Sequence, residues 1–352
     1  MLRGIKRTAL HMLKGAGVFR LVRDSEWRRK RLLILCYHGV SLEDEHLWRP
    51  ALYMEPRVLE QRLKVLKNEG YVVLPLGEAL HCLENDDLPR ASLAITFDDG
   101  THDFYIQAYP LLKSYGLPVT VYQTTYYSDY PKPVFNLICS YMLWKRRGRV
   151  LDTGQELGLI PPLDLKTTAS RFLVERQLVQ NARRDKLNGK QTNEIAARLA
   201  KLLDIDYDEL VAKRILQIMN SQEIAHLAAE GVNFELHTHR HRTPNDEALF
   251  RKEIEDNRKR LQQMTGSVAV HFCYPSGVYE EQFLTWLGEE GVLSATTCDM
   301  GLASSRSNKL RLPRVVDVSR RTPIEFESWL SGLGDLLALR RKARQKYIPA
   351  ED

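Results

Sequence analysis

The chain has no apolar run long enough to cross a membrane. Its longest, such as Leu32 to Tyr37, are strand-sized, where a spanning helix needs about 18 residues or more. Cysteine is scarce: five in 352 residues, an odd number with no C-x-x-C pair. That argues against a cysteine-built zinc site and for reduced thiols in or near a core. Internal repeats and low-complexity stretches are absent. So is the uninterrupted apolar core of an export signal, because charges recur through the first 22 residues. The expectation is a cytoplasmic protein, or one peripheral at the inner face of the membrane. With 43% apolar and 27% charged residues, a mostly disordered chain is excluded.

A large charge excess is missing too. Lysine and arginine number 51 against 45 acids, for a net charge of +6. The distribution is uneven. Residues 1–31 hold ten basic and two acidic residues, and residues 336–352 hold five and two. The body between the ends is therefore acidic, which argues against a nucleic-acid groove there. Leu2, Ile5, Ala9, Met12, Leu13, Ala16 and Phe19 fall at helical spacing with basic residues between them, although Gly15 and Gly17 weaken a single long helix. This basic amphipathic segment fits peripheral contact with an anionic membrane, or packing on the domain with a solvated basic face.

Short apolar runs end in polar residues at Leu32–Tyr37, 92–97, 118–123, 232–236, 268–272 and 293–297. Helix-period segments lie between them and stop at Gly70, Gly116, Gly266 and Gly291, glycine being the residue that enters the left-handed helix stop cheaply. The alternation predicts an α/β domain with a parallel sheet or barrel. Residues 126–220 break it and read as a helical insertion, with helices near 135–144, 169–179 and 193–203. The predicted organisation is an N-terminal segment 1–31, a core of 32–125 and 221–330, the insertion 126–220, and a basic C-terminal tail 331–352.

Three clusters carry chemistry. Asp98 and Asp99 follow the apolar run Leu93–Phe97 and precede Gly100. Two adjacent carboxylates at a strand end repel unless a cation or a shared proton intervenes. His237, His239 and His241 follow the run 232–236. His237 and His241, at i and i+4, can converge on one metal, or His237 and His239 can form an H-x-H pair. An Asp-His-His donor set suits zinc and related divalent ions. The third cluster is His271-Phe272-Cys273-Tyr274-Pro275-Ser276-Gly277, a strand entering a Pro-Gly turn whose backbone N–H groups can face a ligand.

The order and spacing of these clusters resemble the polysaccharide deacetylase family (carbohydrate esterase family four, the NodB-homology domain). Its first motif, T-F-D-D-G, is matched by Thr96 to Gly100. Its second, H-[ST]-x-x-H, is matched by His237, Thr238 and His241. Its third, R-x-F-R-x-P-x-G, is matched at Phe272, Pro275 and Gly277. Tyr37-His38-Gly39-Val40 fits a Y-H-x-V signature of one branch.

The resemblance covers about 32–125 and 221–330. It implies a distorted (β/α) barrel carrying a helical insertion, and removal of N-acetyl groups from an amino-sugar-containing saccharide. It assigns Asp99, His237 and His241 to a divalent metal, most often zinc, and Asp98 to the general base. Ser276, through its backbone N–H, together with Tyr274 and His38 would meet the substrate. The competing expectations are a barrel amidohydrolase using His237 and His239, and a sugar-binding barrel that has lost catalysis.

Two departures stand out. Val270 and Cys273 occupy the third motif's arginine positions, and Arg314 is the residue offered to supply that charge from another strand. No histidine follows His271, so the family's late general acid has no counterpart; His102 and His271 are the substitutes offered.

Overall fold

The computed structural model describes residues 2–339. The C-terminal part of the predicted tail, 340–352, lies outside the described residues. Seven parallel strands close into a barrel in strict chain order: β1 (Arg31–Tyr37), β2 (Ser92–Phe97), β3 (Thr120–Gln123), β4 (Asn233–Leu236), β5 (His271–Cys273), β6 (Ser294–Met300) and β7 (Leu312–Val316). β7 closes on β1 through Leu35↔Val315 and Cys36↔Val316, and β1 runs alongside β2 from Leu33↔Leu93 to Tyr37↔Phe97. Two short strands widen the sheet: Val72–Val73 beside β2, and Ala303–Ser304 antiparallel to the start of β1.

Most residues of these strands are buried on both faces, which is why β1 and β2 read as nearly continuous apolar runs rather than as alternation. Outward residues such as Leu33, Leu35, Ile95, Phe97, Val121, Phe234 and Phe272 share a core with Leu59 and Leu63, Ile224 and Leu227, Phe250 and Ile254, Phe283, and Phe326 of the surrounding helices. Inward residues Leu32, Ile34, Ala94, Tyr122 and Leu312 pack with Leu76, Ala79, Leu80 and Leu83 of the helix Leu76–Glu84, which plugs the N-terminal end of the barrel. Higher up, toward the C-terminal strand ends, the inward positions turn polar. That polar layer is where the carboxylates and histidines sit.

β7 was not among the apolar runs read from sequence. Its residues are Leu312-Pro313-Arg314-Val315-Val316, and a proline demotes a run that would otherwise read as a central strand.

Within residues 126–220 the helices are Phe135–Lys145, Thr168–Arg184, Gly189–Leu202 and Tyr207–Ala212, with a small hairpin of Val150–Leu151 and Leu163–Asp164. Two of the helices begin with capping boxes, Thr167 with Ser170 and Asn188 with Gln191. They surround their own apolar cluster, which includes Ile138, Met142, Leu178 and Leu199 and takes in Tyr53 from the loop after β1. Trp48 of that loop meets Tyr141 edge-on at 5.4 Å, so the helical region leans on the β1 side of the barrel mouth.

At the N-terminus the chain breaks at Gly17 (φ 77°) between the helices Leu2–Gly15 and Val18–Arg23. Leu10 and Phe19 are buried with Ile324 and Leu333. Arg7 and Lys14 pair with Glu325 and Glu327 of the helix Pro323–Leu330, while Ile5, Met12 and Leu21 stay exposed. No helix among the described residues is long and apolar enough to cross a membrane.

His271 opens β5 and lines a cavity of about 310 Å³ beside the plug helix, with Gly77, His81, Ser294 and Lys309. Its Nδ1 lies 2.9 Å from Ser294 Oγ. Burial pushes its pKa down from 6.5 to about 4. Between those values the unfolded chain takes up a proton that the folded chain refuses, so this group costs stability as pH falls from 6.5 to 4, by about 3 kcal/mol. Glu235, whose Oε2 accepts the His271 N–H at 2.7 Å, acts oppositely. Burial raises it to about 7, so its share of stability is lost as pH rises from 4.5 toward 7. His271→Gln isolates the first effect: its melting temperature relative to the parent should climb as pH falls from 7 to 4.5. A pH-independent difference would contradict the assignment.

Candidate active site

The first cluster forms because the chain turns sharply as it leaves β2. Asp99 (φ 71°) and Gly100 (φ 71°) are both left-handed. A side chain at Gly100 would lie 1.9 Å from Gln123 Oε1, so only glycine fits there. The turn sends the two carboxylates in different directions. Asp98 points down into the barrel and is buried, whereas Asp99 stays partly open.

Asp99 faces the second cluster. Its Oδ1 lies 3.1 Å from His237 Nε2 and 3.1 Å from His241 Nε2, and the two imidazole rings are 4.9 Å apart. Donors held about 2.1 Å from a tetrahedral ion are separated by about 3.4 Å, so the three atoms fit one small cation with little movement. His237 Nδ1 is 2.9 Å from the Cys273 carbonyl. That carbonyl can only accept, which places the proton on Nδ1 and leaves Nε2 as the free donor atom. Burial would raise the Asp99 carboxyl, but the neighbouring imidazoles in their protonated forms, His241 foremost and then His237, hold it well below its usual range.

His239 is not in this group. Its Nδ1 lies 2.9 Å from Thr125 Oγ1, its ring meets Tyr126 edge-on, and its carbonyl accepts from Thr124 Oγ1 and from Tyr126 N–H. Zinc titration of single variants should therefore separate the two arrangements: His241→Ala loses the ion and His239→Ala keeps it. The opposite result would favour the H-x-H pair.

Asp98 meets Arg314. Arg314 Nη1 donates to Oδ1 and Nη2 to Oδ2, both at 2.7 Å, while Nε donates to the Thr297 carbonyl at 2.9 Å. Both residues are buried. Burial would push the Asp98 carboxyl up, but the guanidinium overrides it and holds the group well below the usual range. The charge absent from Val270 and Cys273 thus comes from β7. Arg314 Nη2 lies 3.1 Å from Cys273 Sγ, beside the smaller residue that stands where a third-motif arginine would. Cys36 and Cys273 each point a thiol at Asp98 Oδ2, at 3.5 Å.

Among the described residues, two other groups have donor atoms close enough for a cation, Cys36-His38-Asp98 and Asp98-His237-Cys273. Each would set the cation against the Arg314 guanidinium, which already holds both Asp98 oxygens. Asp99-His237-His241 carries no such conflict.

The remaining sequence-derived residues divide. His38 stands at the mouth, with Nε2 3.7 Å from Asp98 Oδ2. Ser276 (φ 56°) sits in the turn Pro275–Gly277 just beyond β5. Tyr274 is corrected: its side chain is buried against Phe272, and its hydroxyl donates to the Leu310 carbonyl at 2.9 Å, so it is closed to a ligand. Both substitute general acids are placed by other contacts. His271 lines the cavity at the plugged end, and His102 Nδ1 lies 2.9 Å from Glu223 Oε1. Sequence reading also passed over Glu253 and Asn257, which buttress the histidine loop. The signal was there: Asn257 interrupts the apolar row Phe250, Ile254, Leu261 of its helix.

A family model described as polysaccharide deacetylase matches residues 85–159 and 172–293, more than half of the chain and both of the better motifs. The chain belongs to the polysaccharide deacetylase family.

Among individual members, YxkH of Bacillus subtilis (strain 168) is 37% identical over 93 residues, 26% of this chain and 31% of that protein. The poly-beta-1,6-N-acetyl-D-glucosamine N-deacetylase of Staphylococcus aureus (strain NCTC 8325 / PS 47) is 38% identical over 61 residues, 17% of this chain and 21% of that protein. The chain thus matches less than a third of the length of these relatives. Two solved structures share the fold. The Streptococcus pyogenes deacetylase PplD, in complex with acetate, superposes with a TM-score of 0.56 at 19% identity, covering 84% of this chain and 96% of that one. IcaB from Ammonifex degensii gives 0.52 at 17%, covering 87% and 97%. The closed seven-stranded barrel is the deacetylase barrel that the motifs imply.

Proposed function

We propose that the chain is a metal-dependent hydrolase that removes N-acetyl groups from an amino-sugar-containing saccharide, in the building of a surface polysaccharide. The observation that carries this reading is the convergence of Asp99 Oδ1, His237 Nε2 and His241 Nε2 beside an ionised, arginine-tethered Asp98. Family membership supports the reaction class. The name of the Staphylococcus aureus relative supports N-acetylglucosamine as the sugar.

Asp99, His237 and His241 would hold the ion, and zinc suits two imidazoles and a carboxylate. When bound, it supplies Lewis-acid polarisation of the acetyl carbonyl and a lowered pKa for water. Asp98 accepts the proton of the attacking water as its oxygen bonds to the acetyl carbon. By the family resemblance, the Ser276 N–H would be the backbone donor to the developing oxyanion. His38, the mouth histidine left outside the Asp99 group, protonates the departing amine as the carbon–nitrogen bond breaks. Acetate and a free sugar amine leave.

A barrel that binds sugar without catalysis is the weaker reading, because the charge missing from the third motif is restored by Arg314. Acetate release tests the proposal, with zinc added, on β-1,6-linked N-acetylglucosamine oligomers, chito-oligomers and a sugar nucleotide. The expected result is release from the β-1,6-linked oligomers. No acetate from any of the three would overturn the activity, and release from chito-oligomers alone would keep the sugar but overturn the β-1,6 linkage that the relative's name suggests.

A further inference from the structure

Two polar residues occupy core-facing positions on the helix Glu247–Thr265. Glu253 is 1% exposed and Asn257 fully buried. Such groups are costly to bury unless their polar atoms find partners, and here they do. Asn257 Oδ1 accepts the His237 N–H at 2.9 Å. Its Nδ2 donates to the Gln123 carbonyl at 3.0 Å and to Thr125 Oγ1 at 2.9 Å. Glu253 Oε2 accepts the Arg240 N–H at 2.8 Å. Its Oε1 takes Arg240 Nη1 at 3.0 Å and Arg242 Nε at 2.7 Å. The backbone carbonyl of Glu253 accepts the His239 N–H at 3.1 Å, and the Arg242 N–H goes to Thr238 Oγ1 at 3.0 Å.

The backbone donors of residues 237, 239, 240 and 242 are thereby tied, three of them to Glu253 and Asn257. The ties have something to hold. Thr238 (φ 60°) and His241 (φ 54°) are both left-handed, a conformation that side chains with a Cβ resist and that is rare for a β-branched residue. A loop cut free of its helix would relax out of these angles. His241 Nε2 would then leave its place 3.1 Å from Asp99 Oδ1.

We infer that Glu253 and Asn257 are positioning residues for the cation. One helical turn apart, they clamp the segment 237–242 in the strained form that brings the two histidine nitrogens to one point. The inference rests on the metal-binding reading above. Groups that orient metal ligands typically change metal affinity about 10–100-fold when removed.

The test is zinc affinity of the full chain, measured by competition with a coloured chelator, beside melting temperature. The variants are Glu253→Gln, which keeps the shape, and Asn257→Leu. Leu261→Ala, equally buried on the same helix but bonded to none of the loop, is the control. Glu253→Gln and Asn257→Leu should weaken zinc binding about 10–100-fold, with turnover returning toward the parent's at saturating zinc. Leu261→Ala should lower the melting temperature and leave zinc affinity within about twofold. Folded variants that bind zinc like the parent overturn the clamp, and Glu253→Gln alone decides if Asn257→Leu does not fold. A parent that binds no zinc instead overturns the metal reading on which the clamp rests.

Discussion

Replacing Asp98 by asparagine should cut acetate release by about 10²–10⁴-fold while zinc remains bound, because an amide cannot take the proton of the attacking water. The three atoms assigned to the ion belong to Asp99, His237 and His241, so the substitution leaves them in place. It also leaves Arg314 buried against a neutral group. Removing one partner of a buried pair costs about 3–5 kcal/mol, and the Thr297 carbonyl, which accepts from Arg314 Nε, should soften that loss. Melting temperature and zinc stoichiometry, read beside turnover, separate loss of the base from loss of the fold. Parent-like turnover in Asp98→Asn would remove Asp98 from the reaction.

The second large effect belongs to Arg314. Arg314→Met keeps an apolar stem and deletes the fork that holds both Asp98 oxygens. Burial then acts on the carboxyl against only the pull of His38 and His237, so its pKa should rise from the depressed position it holds in the parent. In the parent, a depressed folded value means that Asp98 contributes stability fully above the unfolded pKa and loses it only as pH falls through the folded one. In Arg314→Met that contribution shrinks, and stability should fall by about 3–5 kcal/mol near neutral pH. The low-pH limb of the rate profile should move to higher pH, since turnover needs the ionised base. Arg314→Lys is not a conservative rescue, because an ammonium cannot make the two parallel bonds of a guanidinium. An unmoved acid limb in a folded Arg314→Met would show that the ionisation of Asp98 does not depend on Arg314.

How much of this was legible in the chain depended on whether the signal was local. Six barrel strands announced themselves as apolar runs, because a strand buried on both faces needs no partner to be read. β7 did not, because Pro313 interrupts the pattern. The carboxylate and histidine clusters were visible because each lies within a few residues. The Arg314–Asp98 pair joins residues 216 positions apart, so sequence could offer the arginine but not aim it. Side-chain direction was likewise out of reach. Tyr274 sits in the substrate-facing motif, yet alternation in β5 and its turn sends its ring into the core. His102 and His271 were plausible acids until Glu223 and Ser294, both distant in sequence, claimed them. Asn257 falls within the apolar row of its helix and so hints at an inward face, but the sequence does not say what it or Glu253 would hold there. Only the packing of that helix on the histidine loop shows it.

On the proposed function, deacetylation needs one divalent ion held by Asp99, His237 and His241. The most direct test of that need is acetate release by the chelator-stripped chain as zinc is returned. The expected result is no release without metal, a rise that saturates at one zinc per chain, and no rise in His237→Ala at the same zinc. Full release from the stripped chain, or an undiminished response in His237→Ala, would contradict it.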